Sequence, residues 1–398
     1  MATDAPEAPI NLFDPKIAAC PHAAYKTLRE MGQGITRLPG VGIPMITRYD
    51  DVMYVLRHPE LFSSEMEEQM ALGTERPMIP QQIDPPAQTR YRRLLDPLFS
   101  LRRSNDLAPK VREQANLLID KFIDDGECEF DAAFAIPLPC TVFLHLLGLP
   151  LDELDLFLGI KDDIIRPQMK TTDLEEMVQV RKDAGQRLYQ YFGKVIDERQ
   201  TQTGSDDLMA AFLSFEIDGE KLTRNEILDI CFLTLIAGLD TVTATLGCNI
   251  AYLAANPKQR QRLVEQPELI PGAIEELLRT ETPVAALPRI VTQDTTVSGI
   301  KLKANEMITV VLGASNMDES HFDDPDKVDF ERERNRHLAF GGGAHRCLGS
   351  HLARMELRVA MEEWHQRIPN YEIKPGETPT YSPGIREVQY LPLVWNQG

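Results

Sequence analysis

Hydrophobic positions along much of this chain recur every three or four residues, with polar positions between them. The pattern extends over residues 87–119, 131–157 and 175–200, and this spacing predicts amphipathic α-helices. Proline residues within the second stretch should divide it into shorter helices, because proline removes a backbone donor and clashes with the preceding turn. Helix therefore dominates the first half of the chain.

The longest predicted helix begins at a capping box. Thr223 is followed three residues later by Glu226, and no proline occurs again before Pro257, so the helix could extend over about 30 residues. Its middle is apolar on nearly every face, which indicates that it is buried. The longest apolar run, residues 230–239, has an aspartate at each end and is too short to span a bilayer.

Strand patterns are few and short. A further helix is predicted over residues 272–281, and only afterwards do residues 295–300 and 307–312 show clear β character; we predict that these two segments pair as a hairpin. A final helix is predicted over residues 348–367, with short strands after it. Residues 63–86 have no clear period and predict a long mobile loop, whose length indicates a function.

These patterns predict a mainly α fold with small β-sheets, formed by one domain over residues 1–398, because no internal repeat or linker is evident. The chain has 42 basic and 61 acidic residues, a net charge of −19, which argues against general nucleic-acid binding. The N-terminal residues have neither a basic segment nor an apolar one, so we predict no signal peptide and a cytoplasmic location.

The cysteines do not predict a disulfide framework. None of the six belongs to a CxxC pair, and disulfides are unusual in a long chain without a secretory signal. Five are predicted to be small buried hydrophobic residues: Cys20, Cys128, Cys140, Cys231 and Cys248. The sixth, Cys347, differs because of its neighbours.

Cys347 lies in the stretch HLAFGGGAHRCLGSH, just before the last predicted helix. A thiolate at a helix N-terminus is stabilised by free N–H groups and the helix dipole. Glycines at positions 341, 342, 343 and 349 would let the backbone approach a flat, bulky group such as haem. A structural thiol, a nucleophile and a metal site using His345 and His351 remain open, although that spacing is not a standard zinc pattern.

The ten-residue pattern Phe340-x-x-Gly343-x-x-x-Cys347-x-Gly349 resembles the haem-binding signature FxxGxxxCxG of the cytochrome P450 family. The resemblance is to soluble bacterial members and covers nearly the whole chain. It implies the P450 fold, a triangular-prism helical domain with a long central I-type helix and a β-rich side. It also implies haem b, with Cys347 as the axial thiolate ligand of the iron and Phe340 packed near the sulfur.

A second motif, Ala237-Gly238-Leu239-Asp240-Thr241, lies in the middle of the longest helix. A buried aspartate is costly unless it is paired or functional, and Gly238 with the Thr241 hydroxyl could open the helix locally. A kink with a satisfied aspartate fits equally well. The stretch resembles the A-G-x-[DE]-T motif of the family, which implies that Asp240 relays protons, Thr241 organises hydrogen bonds near the iron and Ala237 lies beside the haem.

A third motif, Glu276-x-x-Arg279, places a carboxylate and a guanidinium three residues apart on one helix. Most such pairs are solvated and contribute little. The resemblance instead implies a buried structural lock closed by Arg332. It further implies groups that hold the haem propionates: Arg92, Arg289, His345 and Gln88. Gln88 stands where histidine is usual in the family, and it can donate a hydrogen bond but carries no charge.

The resemblance also implies a substrate pocket, drawn from the segments 64–82 and 160–177 and from five apolar residues: Leu233, Ile236, Val284, Leu287 and Ile385. These side chains favour a small lipophilic substrate of terpenoid, steroid or aromatic type, oxidised with O2. No reductase domain is evident, so we expect electrons from a separate ferredoxin and an NAD(P)H-dependent ferredoxin reductase. The protein is expected to act as a monomer, with neither nucleic acid nor membrane as a partner.

Residues 88–103 contain five arginines and one aspartate, a local charge of +4 on an acidic chain. They could form a solvated helix face or, with Arg346, a docking surface for an acidic ferredoxin. Two other functions stay open: a haem–thiolate enzyme that uses peroxide or catalyses a rearrangement, and a non-catalytic haem-binding sensor. The Asp240–Thr241 pair argues against the first, because a peroxide-driven enzyme has less need of a proton relay.

Overall fold

A computed structural model describes residues 3–12, 14–66, 72–74, 76–200, 206–217, 219–382 and 385–396. Helices dominate, as the hydrophobic spacing predicted. The helices are α1 Pro15–Ala18, α2 His22–Glu30, α3 Tyr49–Arg57, α4 Ala87–Leu95, α5 Leu101–Asp106, α6 Ala108–Ile119, α7 Pro137–Leu147, α8 Leu154–Ile165, α9 Leu174–Arg199, α10 Leu208–Ser214, α11 Arg224–Ala255, α12 Pro257–Glu265, α13 Ile270–Thr280, α14 Leu312–Ser315 and α15 Ser350–Arg367.

The strands are short and form small sheets, which confirms the prediction of a mainly α fold. They are β1 Ile35–Arg37, β2 Pro44–Ile46, β3 Phe62–Ser63, β4 Glu127–Glu129, β5 Glu216–Ile217, β6 Glu220–Lys221, β7 Leu287–Val291, β8 Thr295–Val297, β9 Ile300–Leu302, β10 Met307–Val310, β11 Glu372–Ile373, β12 Thr380–Tyr381, β13 Val388–Tyr390 and β14 Pro392–Val394. The largest sheet has the order β1-β2-β10-β7-β3.

The predicted pairing of residues 295–300 with residues 307–312 is wrong. β8 pairs with β9, because Ser298 and Gly299 both adopt positive φ (43° and 82°) and close a two-residue turn between them. β10 instead pairs with β7 and, in parallel, with β2. The N-terminal strands β1 and β3 were not predicted as strands, since each has only two or three residues.

The central helix α11 organises the core. Its capping box forms as predicted, with Thr223 and Glu226 bonded reciprocally, and it has 32 residues. Its first half, up to Leu239, belongs to one apolar cluster with α8, α9 and α10, whereas its second half, from Val242, belongs to another with α6, α13 and α15. Asp240 and Thr241 therefore lie where the two largest apolar clusters meet.

By length and composition α11 could cross a membrane, but 72% of its most apolar 18-residue segment is buried inside the molecule. Burial on all sides is what a core helix requires. The expectation that five cysteines are buried is partly wrong: Cys20 is exposed and Cys128 is half-buried, whereas Cys140, Cys231 and Cys248 are buried. Cys20 lies between two short helices, in a turn that contributes nothing to the core.

Candidate functional site

The loop that contains Cys347 is held in shape by its own backbone. The N–H of Cys347 donates to the carbonyl of Phe340 (2.8 Å), and a single 3₁₀ turn, Gly343–His345, lies between them. Gly349 is the N-cap of α15, so the thiol precedes the helix by two residues. The thiol therefore lies at the N-terminal end of α15, where backbone N–H groups have no partner within the helix.

The side chain of Cys347 is exposed, yet burial raises the pKa of its thiol. A side chain that faces an interior space rather than the outer surface of the protein has both properties. A hydrogen bond from the Gly349 N–H and the charges of Arg92, Arg354 and Arg346 act in the opposite direction and favour the thiolate. A soft metal ion would complete that effect, since metals bind cysteine in its thiolate form.

The glycines of this loop do not all serve one purpose. Gly343 has a φ of +65°, and a Cβ there would lie 1.9 Å from the carbonyl oxygen of Leu56. The end of α3 therefore requires glycine at position 343, independently of any bound group. A Cβ at Gly349 would meet no atom within 4 Å, so this position leaves space two residues after the cysteine.

The middle of α11 also opens toward an interior space. Ala237 and Gly238 are exposed, although Ile236, Leu239 and Asp240 on either side are buried. A Cβ at Gly238 would meet no atom within 4 Å. The Thr241 hydroxyl donates to the carbonyl of Ala237 (2.8 Å), which satisfies the alcohol within the helix and leaves its lone pairs as acceptors.

Asp240 is buried and paired with two cations that the sequence analysis did not connect to it. Its Oδ1 atom lies 3.0 Å from Lys161 Nζ and 3.3 Å from Arg166 Nη1. Arg166 also binds Glu387, with 2.5 Å between Nη2 and Oε1. In the sequence, the one indication of this ion pair was a lysine at a buried position of the apolar helix α8. The sequence does not show which residue pairs with that lysine.

The residues predicted to hold haem propionates converge. Arg289 is buried, and burial lowers its pKa to about 10; within the described part of the chain it forms no ion pair, and Nη1 donates only to Pro288 O (2.7 Å). The Nε2 atom of His345 is buried, lies 3.8 Å from Asp84 Oδ1 and has no hydrogen-bond partner among the residues that the structure describes. Burial and the neighbouring Arg289 lower the pKa of His345 to about 4. Such under-satisfied donors fit carboxylates of a bound group.

Two other residues of that predicted set already have protein partners. Arg92 donates to the carbonyl of Arg346 (2.8 Å) and pairs with Asp96 (2.9 Å). Gln88 is buried, and its Nε2 donates to the carbonyl of Ala344 (2.6 Å). Gln88 therefore fixes the loop that carries His345 in this structure. The exposed stretch of α11, the thiol with its open neighbour Gly349 and the under-satisfied donors of Arg289 and His345 together fit haem.

Glu276, Arg279 and Arg332 are brought together as the third motif implied. Arg279 donates to both oxygens of Glu276 (2.8 and 2.9 Å), and neither side chain is exposed. Arg332 Nε lies 3.1 Å from both of the same oxygens, and Asn335 adds a further donor at 3.1 Å. Both oxygens of this buried carboxylate are therefore hydrogen-bonded, two of the donors being guanidinium groups.

The residues predicted to line the substrate pocket lie at several positions in the fold. Leu233 and Ile236 pack on α11 in the same cluster as Met78 and Ile79, whereas Val284, Leu287 and Ile385 are half-buried. Of the predicted pocket loop, residues 67–71 and 75 lie outside the described residues.

The remainder of that loop is fastened in a way that sequence reasoning missed. Arg76 donates through both Nε and Nη2 to Asp229 on α11, at 2.9 to 3.1 Å. Its guanidinium stacks over Tyr189 of α9, 4.9 Å from the ring centre. The Gly73 backbone lies directly on α9, since a Cβ there would be 2.2 Å from Arg181 O. The loop is thus joined to both helices.

Comparison with known proteins agrees with this geometry. A family model described as Cytochrome P450 matches residues 162–380. The mycinamicin IV hydroxylase/epoxidase of Micromonospora griseorubida is 35% identical over 366 residues, 88% of this chain and 89% of that protein. The steroid C26-monooxygenase of Mycobacterium tuberculosis is 33% identical over 375 residues, 93% of this chain and 92% of that protein.

Solved structures give the same result. CYP109E1 from Bacillus megaterium, in complex with testosterone, superposes with a TM-score of 0.87 at 29% identity and covers 96% of this chain and 100% of that one. CYP109Q5 from Chondromyces apiculatus superposes with a TM-score of 0.88 at 30% identity, covering 98% of each chain. The fold is therefore the P450 fold. The chain belongs to the cytochrome P450 family and is a P450 monooxygenase with haem b as its cofactor.

Proposed function

We propose that this protein inserts one oxygen atom from O2 into a small lipophilic substrate, of which a steroid is the leading candidate. Two features together carry the proposal: the exposed stretch Ala237–Gly238 within a buried helix, and the enclosed thiol of Cys347. The names of two relatives, a steroid C26-monooxygenase and a structure with bound testosterone, support the steroid class over terpenoid and aromatic compounds.

In this proposal the residues of the loop and its surroundings hold the cofactor. Cys347 is the thiolate ligand of the iron, with Phe340 packed beside it and Gly343 and Gly349 shaping the loop. Arg289, His345 and Arg92 bind the propionates. When bound, haem supplies the oxygen and electron chemistry of the reaction. The trio of Glu276, Arg279 and Arg332 is assigned to folding and haem retention.

Asp240 and Thr241 handle the protons. Asp240 Oδ1 is engaged by both cations, whereas Oδ2 is buried and has no hydrogen-bond partner among the described residues. Oδ2 is therefore the atom at which a proton is taken up and released. Thr241 keeps lone pairs free while it donates to Ala237 O, so it can hold a water molecule in position for that transfer.

Electrons are proposed to come from a separate ferredoxin and its reductase. Arg93, Arg102 and Arg346 are exposed, and α5 packs against α15, the helix that follows Cys347. An acidic ferredoxin would be steered to this face by its basic charge. Arg103, which also belongs to the arginine-rich segment, is paired with Asp206 at 2.8 Å and contributes less. We propose that residues 1–398 act as a single, monomeric haem domain in the cytoplasm.

The proposal is tested by reconstitution of the purified protein with a surrogate ferredoxin and reductase. NADH-dependent product formation from steroids is expected, and the steroids that bind should shift the haem iron from low to high spin. Turnover with peroxide but not with the electron-transfer proteins would indicate the peroxide-driven alternative. Haem binding without turnover by either route would indicate a sensor.

The axial ligand is tested separately. The reduced protein with carbon monoxide is expected to show the red-shifted Soret band of thiolate ligation, and Cys347→Ala should lose it. Cys231→Ala is a suitable control, because Cys231 is buried in α11 and should leave the band unchanged. Retention of the band in Cys347→Ala would refute the assignment.

A further inference from the structure

Asp131 occupies a groove in the central helix. It begins a single π-turn, Asp131–Ala135, that packs against α11. A Cβ at Gly247 would lie 2.8 Å from Asp131 Oδ1 and 3.5 Å from Val388 Cβ, so the carboxyl group lies where Gly247 leaves room. Gly247 follows Asp240 by seven residues, about two helical turns, and shares its face of α11.

The carboxyl group of Asp131 is buried without any donor. Its exposed fraction is 3%, and neither oxygen has a hydrogen-bond partner among the residues that the structure describes. A carboxylate anion in such a place is strongly disfavoured, whereas a neutral acid is tolerated. Five ionisable groups influence or are influenced by it: Glu129 and Cys128 of β4, Cys248 of α11, Glu387 before β13 and Arg166 after α8.

Most of these neighbours disfavour a negative charge on Asp131. Burial comes first, the carboxylates of Glu129 and Glu387 add to it, and only Arg166 opposes them; together they raise the pKa of Asp131 to about 8. The physical reason agrees with the geometry, because the guanidinium of Arg166 is already shared between Asp240 and Glu387. Asp131 therefore holds its proton at neutral pH.

The charges around Asp240 balance only while Asp131 is neutral. Lys161 and Arg166 offset Asp240 and Glu387, and all four side chains are largely buried. Asp162 also contacts both cations, but its side chain is 47% exposed and water screens it. A second carboxylate beside Glu387 would draw Arg166 toward that side and weaken its longer contact with Asp240, which is 3.3 Å.

We propose that Asp131 is a buried neutral carboxylic acid that acts as a positioning residue for Asp240, through Glu387 and Arg166. While protonated it leaves Arg166 shared, and Asp240 stays aligned for proton transfer. When Asp131 loses its proton to solvent, the arrangement shifts and the relay is impaired. The proposal rests on the proton-handling role proposed above for Asp240.

The protonation state is measured directly in the haem-loaded protein by infrared spectroscopy. A carboxylic-acid C=O band is expected at neutral pH in wild type, and it should fade as the pH rises through about 8. Asp131→Asn should lack this band. Asp125→Asn, which replaces an exposed aspartate close by in the chain, should keep it. Because burial also raises the pKa of Glu356, the deciding measurement is the difference between the wild-type and Asp131→Asn spectra. If that difference contains no carboxylic-acid C=O band that fades near pH 8, the proposal is overturned.

Stability gives a second measure that does not depend on turnover. The folded pKa of about 8 lies above the ordinary value of 3.8, so the folded protein keeps a proton that the unfolded chain releases. Within that window the folding equilibrium constant should fall as the pH rises, by up to about tenfold for each pH unit. Asp131→Asn should remove the contribution of Asp131 to this pH dependence of stability, whereas Asp125→Asn should not.

The positioning role is tested by the pH profile of coupling, the share of NADH that yields product. Wild type and Asp125→Asn should lose coupling severalfold above pH 8, and Asp131→Asn should not. An Asp131→Asn profile that follows wild type would show that Asp131 does not act on Asp240. If Asp240→Asn retains wild-type coupling, the proposed proton-transfer role of Asp240 is wrong. The infrared band of Asp131 should still be present in that case, so failure of the two proposals can be distinguished.

Discussion

The ammonium group of Lys161 lies 3.0 Å from the carboxylate of Asp240, and neither side chain is more than 2% exposed. The contact joins α8 to the middle of α11, at the point where the two apolar clusters meet. Removal of one partner from a buried ion pair leaves the other charge uncompensated, which costs more than the pair contributes. This ion pair therefore stabilises the fold, and it holds the carboxylate for which a role in proton transfer is proposed above.

Lys161→Met is expected to destabilise the folded protein by about 3 kcal/mol, because Asp240 would keep only the longer contact with Arg166. Denaturant unfolding of the haem-loaded protein measures the change. Asp240→Asn in the Lys161→Met background should restore part of the loss, since the uncompensated charge is removed. If the double variant is less stable than Lys161→Met alone, the two residues do not form the coupled pair described here.

Thr241→Ala is expected to uncouple the reaction while haem binding is retained. The variant removes the hydroxyl that is proposed to hold a water molecule, so NADH and O2 should still be consumed, with more released as hydrogen peroxide and less as product. Asp240→Asn should instead slow turnover by about 10²-fold or more, the usual effect of losing a general acid or base. Thr234→Ala is the control, because the Thr234 hydroxyl also donates to the carbonyl one turn earlier on α11. Unchanged coupling in Thr241→Ala would mean that its hydroxyl serves only the helix.

Arg76→Ala is expected to release the loop that covers α9 and α11. The variant removes hydrogen bonds to Asp229, and hydrogen bonds to charged groups contribute about 1.5–3 kcal/mol, so substrate dissociation should become about tenfold faster. Stopped-flow measurement of the spin-state change gives the rates of substrate binding and of substrate dissociation. Arg224→Ala removes an exposed ion pair of the same helix with Asp197 and should leave the rates alone. Equal rates in wild type and Arg76→Ala would show that substrate does not pass this loop.

Arg102→Glu and Arg346→Glu are expected to slow reduction by ferredoxin and to flatten its salt dependence. Both side chains are exposed: Arg346 precedes Cys347, and Arg102 belongs to α5, which packs against α15. Exposed charges act mainly on association rate over a screening length of roughly 8–10 Å. Arg103→Glu should have a smaller effect because Arg103 is already paired with Asp206. Peroxide-supported turnover should be unchanged in Arg102→Glu and Arg103→Glu, whereas Arg346 also acts on the Cys347 thiol. A parallel fall in that turnover would place the damage in the haem site and contradict docking.

Local spacing in the sequence determined much of the fold and part of the site. The capping box of Thr223 and Glu226 set the start of α11, and the i,i+3 spacing of Glu276 and Arg279 placed both groups on one helix face. The pattern around Cys347 predicted a thiol before a helix. Each of these depends on residues within one or two helical turns, where backbone geometry alone fixes the neighbours.

Only the tertiary structure decided which distant segments meet. β10 pairs with β7 and β2 rather than with the strand before it, because the Ser298–Gly299 turn closes β8 onto β9. Lys161 and Asp240 are 79 residues apart in sequence, and their contact follows from how α8 crosses α11. Burial then decides the charge of each group, since the cost of an ion depends on every donor around it and not on its neighbours in the chain.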